Sequence, residues 1–133
     1  MYITLPTTMS MMKKQELILA TFFRHQLVMK MFHFQTKKYG HHKESDVYLT
    51  GFAVQMDKYM ETSQGHFGIV NTKSMDLNIK TVTDQTVDKY LGQFVEFLDS
   101  FDSMLSKEYG DLLVIRDDMR IEAVKLRYLL KFD

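Results

Sequence analysis

The chain of 133 residues contains no cysteine, no tryptophan, one proline and six glycines. Without cysteine, disulfide bonds, thiolate metal sites and cysteine nucleophiles are excluded, so any bound metal must use His, Asp or Glu side chains. Lys+Arg and Asp+Glu both number 17, so the excess of cations typical of nucleic-acid-coating proteins is missing. No apolar run approaches the roughly 18 residues of a membrane span, and no secretory signal is recognisable. We therefore expect a cytoplasmic protein.

Because helix breakers are so few, long helices are expected, and apolar residues recur at helical spacing in four segments. These segments predict helices over residues 10–36, 41–64, 84–106 and 111–131, with Ser10 as the first N-cap and Gly65 as the end of the second helix. Tyr39 and Gly40 are expected to break the first two helices apart. Residues 66–83 are less regular and predict a long connection along the bundle.

The expected core of the second, third and fourth helices follows from the same periodicity. Its members are Val47, Phe52, Met56, Tyr59, Met60, Val87, Leu91, Phe94, Leu98, Phe101, Leu105, Leu112, Ile115, Met119, Ala123, Leu126 and Leu130. Four helices joined by two short connections and one long one fit an all-α, ferritin-like four-helix bundle with a crossover between helices 2 and 3. We expect one domain over residues 1–133, with residues 1–9 as a candidate flexible segment.

The first helix is expected to need two neighbours, because apolar residues occupy two of its sides. The two stripes are Ile18, Phe22, Met29 and His33 on one side, and Phe23, Leu27, Met31 and Phe34 on the other. One stripe would face the helix's own bundle and the other a second subunit. The alternative is a helix buried on both sides in the core of a monomer.

Five residues form the candidate metal site: His33, His42, Asp46, Asp57 and Glu61. The four-residue step from His42 to Asp46 puts both on one helix face, as does the step from Asp57 to Glu61. An antiparallel turn between the first two helices would bring His33 close to His42 and Asp46. Asp46 and Glu61 are fifteen residues apart, about 22 Å of helix rise, so one chain cannot bring both pairs to one metal.

Two copies related by a two-fold axis can complete such a site. With their second helices antiparallel, the histidines and Asp46 of one copy would face Asp57 and Glu61 of the other, which gives two equivalent sites per interface. Two imidazoles and three carboxylates suit Fe(II) or another divalent first-row metal. Each pair taken alone, His42 with Asp46 or Asp57 with Glu61, also fits a solvated helix face. His33, which lies between Phe32 and Phe34, also fits a core histidine.

The remaining histidines allow simpler interpretations. His41 adjoins His42 and is the alternative ligand, although only His42 has the four-residue step to Asp46. We expect His25 to be a surface or interface residue and His66 to be solvated.

Residues 27–68, LVMKMFHFQTKKYGHHKESDVYLTGFAVQMDKYMETSQGHFG, resemble the first two helices of Dps proteins, the starvation-type ferritins. The shared pattern is a His near the end of the first helix, a second His with an Asp four residues later, and an Asp-x-x-x-Glu pair that starts eleven residues after that Asp. Residues 110–132 resemble the last Dps helix, and more closely that of small ferritin-like proteins from phages and large DNA viruses.

The resemblance implies a shell, commonly of twelve subunits, in which Fe(II) is oxidised by peroxide or oxygen at two-fold interfaces and stored as ferric mineral. His33, His42 and Asp46 of one subunit, with Asp57 and Glu61 of its partner, would hold the Fe(II) and Fe(III). The location would be a cytoplasm, or a virion if the protein is virus-encoded. The shorter turn before His42 and Phe34 in place of Trp depart from the Dps pattern. The chain also lacks a basic N-terminal tail and the Glu-x-x-His motif of di-iron bundles. The alternative is a non-enzymatic structural or assembly protein that keeps the fold.

Overall fold

The computed structural model describes residues 9–132. All of the regular secondary structure in this range is helical, and the range contains no β-strand. The helices are α1 (Met11–Gln35), α2 (Tyr39–Phe67), α3 (Val87–Asp99), α4 (Phe101–Met104) and α5 (Gly110–Leu129), with a 3₁₀ turn at Lys107–Tyr109. The short α4 directly follows α3, so four helical rods make up the bundle. No described helix has both the length and the apolar character needed to cross a membrane.

Contacts at the two ends of the bundle define the path of the chain. The end of α2 meets the start of α5, where His66 Nε2 lies 2.8 Å from an Asp111 carboxylate oxygen. The residues just before α3 return to the opposite end, where Asp84 accepts hydrogen bonds from the Thr36 hydroxyl and the Lys37 amide. Residues 68–86 therefore run the length of the bundle. This path confirms the predicted long connection and makes α3 parallel to α2.

The start of α1 is as predicted, because the Ser10 hydroxyl accepts the Lys13 amide hydrogen at 3.2 Å. The start of α2 is not. Tyr39 and Gly40 lie in its first turn, and the break is confined to residues 36–38. Asp84 accepts hydrogen bonds from the Thr36 hydroxyl and the Lys37 amide, so a carboxylate distant in sequence stabilises this turn. The local sequence therefore did not predict how short the turn is.

The predicted end of α2 at Gly65 is also wrong. The helix continues through Gly65 to Phe67, whose ring lies 4.9 Å from that of Tyr109, and it ends at Gly68 with φ of 93°. Packing of Phe67 outweighs the roughly 1 kcal/mol cost of a glycine inside a helix. Gly68 supplies the positive φ that the helix end requires.

Alanine substitutions at these two glycines are expected to act in opposite directions. Gly65→Ala should raise the free energy of unfolding by about 0.5–1 kcal/mol, because an added Cβ meets nothing within 4 Å and the helix interior favours alanine. Gly68→Ala should lower it by about 1–3 kcal/mol, because its backbone conformation strains a side-chain-bearing residue. Urea unfolding of both variants measures the difference. Equal effects at the two positions would contradict this placement of the helix end.

The third predicted helix is shorter than expected and is interrupted. It starts at Val87 rather than at residue 84, and it breaks at Ser100 before the short α4. The Ser100 hydroxyl donates to the carbonyl of Phe97 at 2.5 Å, and such bonds compete with the helical ladder and bend helices. The Leu98 carbonyl at this break accepts a hydrogen bond from Arg116 of α5.

The predicted core is confirmed with one exception. Every expected core residue of the third and fourth helices is buried, and so are the expected members of α2 other than Val47. Val47 is 65% exposed, whereas the neighbouring Tyr48 is only 4% exposed and packs in the core. Successive helical residues point about 100° apart, so the choice between two adjacent apolar residues depends on how α2 is rotated against its neighbours.

The two stripes of α1 have different environments. Ile18, Phe22, Met29 and His33 are buried against the bundle, as expected for one stripe. On the other side, Phe23, Leu27 and Phe34 are exposed, so the idea of a helix buried on both sides within a monomer is wrong for the described residues.

Candidate metal centre

His33 and His42 meet where α1 ends and α2 begins, as predicted. Their rings stack with centroids 4.0 Å apart and planes inclined by 16°. His33 Nδ1 lies 2.7 Å from the carbonyl oxygen of His42, and His42 Nδ1 lies 2.8 Å from the carbonyl oxygen of His33. Each imidazole is therefore oriented by the backbone of the other residue.

The reciprocal bonds define which ring nitrogens carry hydrogen. A carbonyl oxygen only accepts, so each Nδ1 must donate, and in a neutral imidazole the Nε2 atom then keeps its lone pair. Ser45 donates to the His42 carbonyl at 3.1 Å and supports the same arrangement. Within residues 9–132, neither Nε2 atom has a hydrogen-bond partner. Metal-binding histidines typically donate their second ring nitrogen in this way.

His41, the alternative ligand, has a partner at each ring nitrogen in this structure. Its side chain is buried, its Nδ1 lies 3.0 Å from Asp84 Oδ1, and its Nε2 lies 3.1 Å from the carbonyl oxygen of Phe132. Both nitrogens lie within hydrogen-bond distance of oxygens, so neither faces open space in this arrangement. Partial burial would raise the pKa of Asp84, but hydrogen bonds from Thr36, Lys37 and His41 outweigh it and lower that pKa.

The three candidate carboxylates lie on the exposed face of α2. Asp46, Asp57 and Glu61 are all exposed, and the steps of eleven and four residues keep them close to one line along the helix. Because α2 is unbroken from Tyr39 to Phe67, Asp46 and Glu61 are about 22 Å apart along its axis. Within the described part of one chain, no three His, Cys, Asp or Glu side chains form a group that could hold a metal.

One chain thus brings together two of the five predicted site residues, His33 and His42. Asp46 follows one turn later but does not form a three-residue group with them, and Asp57 and Glu61 lie nearer the far end of α2. The separation along α2 therefore keeps Asp57 and Glu61 away from the two histidines within one chain.

Exposed apolar side chains occur on the two helices that carry the candidate residues. On α1, Phe23, Leu27 and Phe34 are exposed, and Lys30 Nζ lies 5.2 Å above the Phe34 ring. On α2, Val47 and Val54 are exposed among the carboxylates. We call these five apolar residues the α1–α2 stripe. Exposed apolar patches of this kind mark interaction surfaces when they are contiguous.

His25 is not the surface or interface residue that we expected. It is fully buried, its ring stacks on Phe94 at 3.6 Å, and its nitrogens lie 2.9 Å from the Tyr90 hydroxyl and 2.6 Å from the Tyr48 hydroxyl. Burial lowers the pKa of His25 to about 3, so the ring is neutral. The signal was present in the sequence, because position 25 falls between Phe22 and Met29 on the buried stripe. His66 is exposed, as expected, but it also pairs with Asp111.

Comparison with known proteins identifies a protein family. Residues 33–130 match a family described as "Family of unknown function (DUF5856)", and this range includes all five candidate metal-site residues. No curated protein and no solved structure matches the chain.

Proposed function

Because the chain belongs to DUF5856, a family of unknown function, we propose its function from its own residues: two copies, antiparallel along α2, bind and oxidise Fe(II) at two equivalent interface sites. His33, His42 and Asp46 of one copy and Asp57 and Glu61 of the other are the proposed ligands. The fold in this proposal is the ferritin-like bundle, the assembly is a closed cage of the Dps kind, and the product is stored ferric iron or removed peroxide.

The observation that carries the proposal is the reciprocal His33–His42 pair. Two imidazoles that already donate from Nδ1 to carbonyls present two Nε2 lone pairs without any rearrangement. The α1–α2 stripe supports the interface, since its burial against a second copy would remove apolar surface from water. The long crossover along the bundle supports the ferritin-like topology.

The proposed chemistry uses Fe(II) as the substrate. Two Fe(II) ions give one electron each to hydrogen peroxide, which takes up two protons and forms two water molecules. The carboxylates favour this step because they attract Fe(III) more strongly than Fe(II). The neutral imidazoles hold the ion without adding charge.

Removing a carboxylate from the proposed site is expected to slow oxidation. Glu61→Gln and Asp57→Asn should each lower the rate of Fe(II) oxidation by at least about tenfold, which corresponds to about 1.4 kcal/mol. Stopped-flow absorbance with hydrogen peroxide measures the rate. Asp76→Asn, which neutralises an exposed carboxylate on the crossover, serves as the control and should leave the rate unchanged. Wild-type rates in both Glu61→Gln and Asp57→Asn would refute the assignment.

A subunit-mixing experiment tests whether the site is shared between chains. A His42→Ala chain and a Glu61→Gln chain each lose most of the oxidation activity alone in this proposal. In a mixed dimer both changes fall in one site, so the other site is intact. Random mixing makes about half of the dimers mixed, so it should restore about a quarter of the wild-type sites. Co-expression with two tags isolates the mixed dimers, in which one of the two sites should be intact. If His42 and Glu61 acted within one chain, mixing would restore nothing.

A non-enzymatic assembly role is the second candidate, and the exposed α1–α2 stripe favours it as well. Metal analysis of the purified protein, combined with its mass in solution, separates the two candidates. Bound iron in a large homo-oligomer supports oxidation and storage. A metal-free protein that associates with other chains supports the assembly role.

A further inference from the structure

A cavity of about 570 Å³ lies away from the proposed metal site, between α1, the crossover and α3. Val28 of α1 and Val82 of the crossover contribute apolar wall, Asn78 contributes an amide, and Tyr90 of α3 contributes a phenol ring. Ligand-binding pockets typically measure about 300–1,000 Å³ and combine apolar walls with a few polar groups. The size and lining fit a small organic molecule rather than a single ion.

The charge of this cavity has one sign. Arg24, Lys80 and Lys89 line it, and none of its lining residues is acidic. In the part of the chain that the structure describes, none of these three cations forms an ion pair. The other described arginines, at positions 116, 120 and 127, all pair with aspartates. Three unpaired cations around one cavity repel one another, and an anion between them would relieve that repulsion.

Arg24 adds a second, independent feature. Its Nε atom is buried and has no hydrogen-bond partner within the described residues. A buried donor without a partner costs free energy, and such groups in folded proteins are normally satisfied by protein, water or a ligand. A guanidinium group is suited to carboxylate and phosphate oxygens, to which it can donate two parallel hydrogen bonds.

We propose that the cavity bounded by Arg24, Lys80 and Lys89 binds a small organic anion with at least two negative charges and an apolar or aromatic portion. The cations bind the charged groups, while Val28, Val82 and the Tyr90 ring contact the rest of the molecule. Tyr90 also connects the cavity to the core, because its hydroxyl lies 2.9 Å from Nδ1 of the buried His25. A ligand that contacts Tyr90 therefore changes the environment of His25.

Calorimetric titration of the metal-free protein tests the proposal with four probes. Adenosine monophosphate carries a phosphate and an aromatic base, citrate carries carboxylates only, adenosine lacks the charge, and inorganic phosphate lacks the organic portion. At least one of the first two should bind with a dissociation constant below about 1 mM. Adenosine should not bind measurably, and inorganic phosphate should bind more weakly. Adenosine monophosphate and citrate together distinguish phosphate from carboxylate as the preferred anion.

Variants connect the binding to the named residues. Arg24→Gln should raise the dissociation constant at least about tenfold. Lys89→Gln, at an exposed position that tolerates substitution, should raise it as well and serves if Arg24→Gln fails to fold. Arg120→Gln removes the same charge from α5 outside the cavity and should leave binding unchanged. His42→Ala should also leave it unchanged, so failure here is distinguishable from failure of the iron proposal.

Nuclear magnetic resonance gives a readout that surface charge alone would not change. Among the ring C–H resonances of the five histidines, those of His25 should shift when the ligand is added. The reason is that Tyr90 contacts both the ligand and the His25 ring. The proposal is overturned if neither anion binds, if adenosine or inorganic phosphate binds as tightly as the organic anions, or if both cavity variants keep wild-type affinity.

Discussion

Lowering the pH from about 7 to about 4 is expected to reduce the free energy of unfolding by about 3 kcal/mol through His25 alone. Burial lowers the pKa of this ring to about 3 in the folded chain, against 6.5 for an ordinary histidine. Below pH 6.5 the unfolded chain therefore binds a proton that the folded chain does not. Stability is lost as the pH falls from 6.5 towards 3, at about 1.4 kcal/mol per pH unit.

The lowered pKa values of the paired carboxylates act at lower pH. Hydrogen bonding lowers the pKa of Asp88 below 3.8 through Arg127, and that of Asp111 through His66. Carboxylates of this kind stabilise the fold above the unfolded pKa and lose that contribution as the pH falls below it. Their effect therefore begins where most of the His25 effect has already occurred.

Urea unfolding at several pH values, with His25→Gln as the comparison, measures the contribution of His25. Gln keeps a neutral hydrogen-bonding group between Tyr48 and Tyr90 but binds no proton in this range. We expect the variant to be less stable than the wild type at pH 7, because it loses the stacking on Phe94. Its stability should depend less steeply on pH between 6.5 and 4. The same slope in both proteins would show that His25 is not neutral and buried.

Replacing Arg116 by methionine is expected to lower the free energy of unfolding by about 2 kcal/mol. Arg116 is only 5% exposed, and its Nη1 donates to the Leu98 carbonyl at 2.8 Å, just before the break at Ser100. Methionine fills a similar volume but leaves that buried carbonyl without its donor. The carboxylates of Asp102 and Asp117 are largely exposed and regain water, so their loss of a partner adds little.

Arg120→Met provides the matched control on the same helix. Arg120 pairs with Asp99 at 2.7 Å, but both side chains are about half exposed. Surface ion pairs of this kind contribute at most about 1 kcal/mol, so the control should lose no more than about half of what Arg116→Met loses. Equal losses of stability in thermal or urea unfolding would contradict this explanation. They would mean that the effect of Arg116 does not come from its burial.

Several elements were predictable because their causes are local. The seam of α3 and α5, from Val87 to Leu105 and from Leu112 to Leu130, follows the helical period and is buried as predicted. The Ser10 cap depends on an amide only three residues away. The exposed second stripe of α1, which includes Phe23 and Leu27, was also visible as an apolar side with no place in its own bundle.

Errors occurred where the cause lies in a different helix. Periodicity allowed either Val47 or Tyr48 in the core, and the hydrogen bond between Tyr48 and His25 selects the tyrosine. Gly65 has the composition of a helix end, but packing of Phe67 on Tyr109 carries α2 past it to Gly68. His25 looked polar and therefore external, although two tyrosine hydroxyls satisfy it inside the bundle.

The sequence by itself determined the helices, the long connection and the pairing of His33 with His42, because helical hydrogen bonds and apolar periodicity act over a few residues. Only the tertiary structure decided which histidine keeps a ring nitrogen without a hydrogen-bond partner among the described residues. His41 is occupied by Asp84 and Phe132, which are 43 and 91 residues away, while His42 donates to the backbone of His33 and keeps Nε2. Such partners meet only when the bundle is packed, since no local pattern relates residues that far apart.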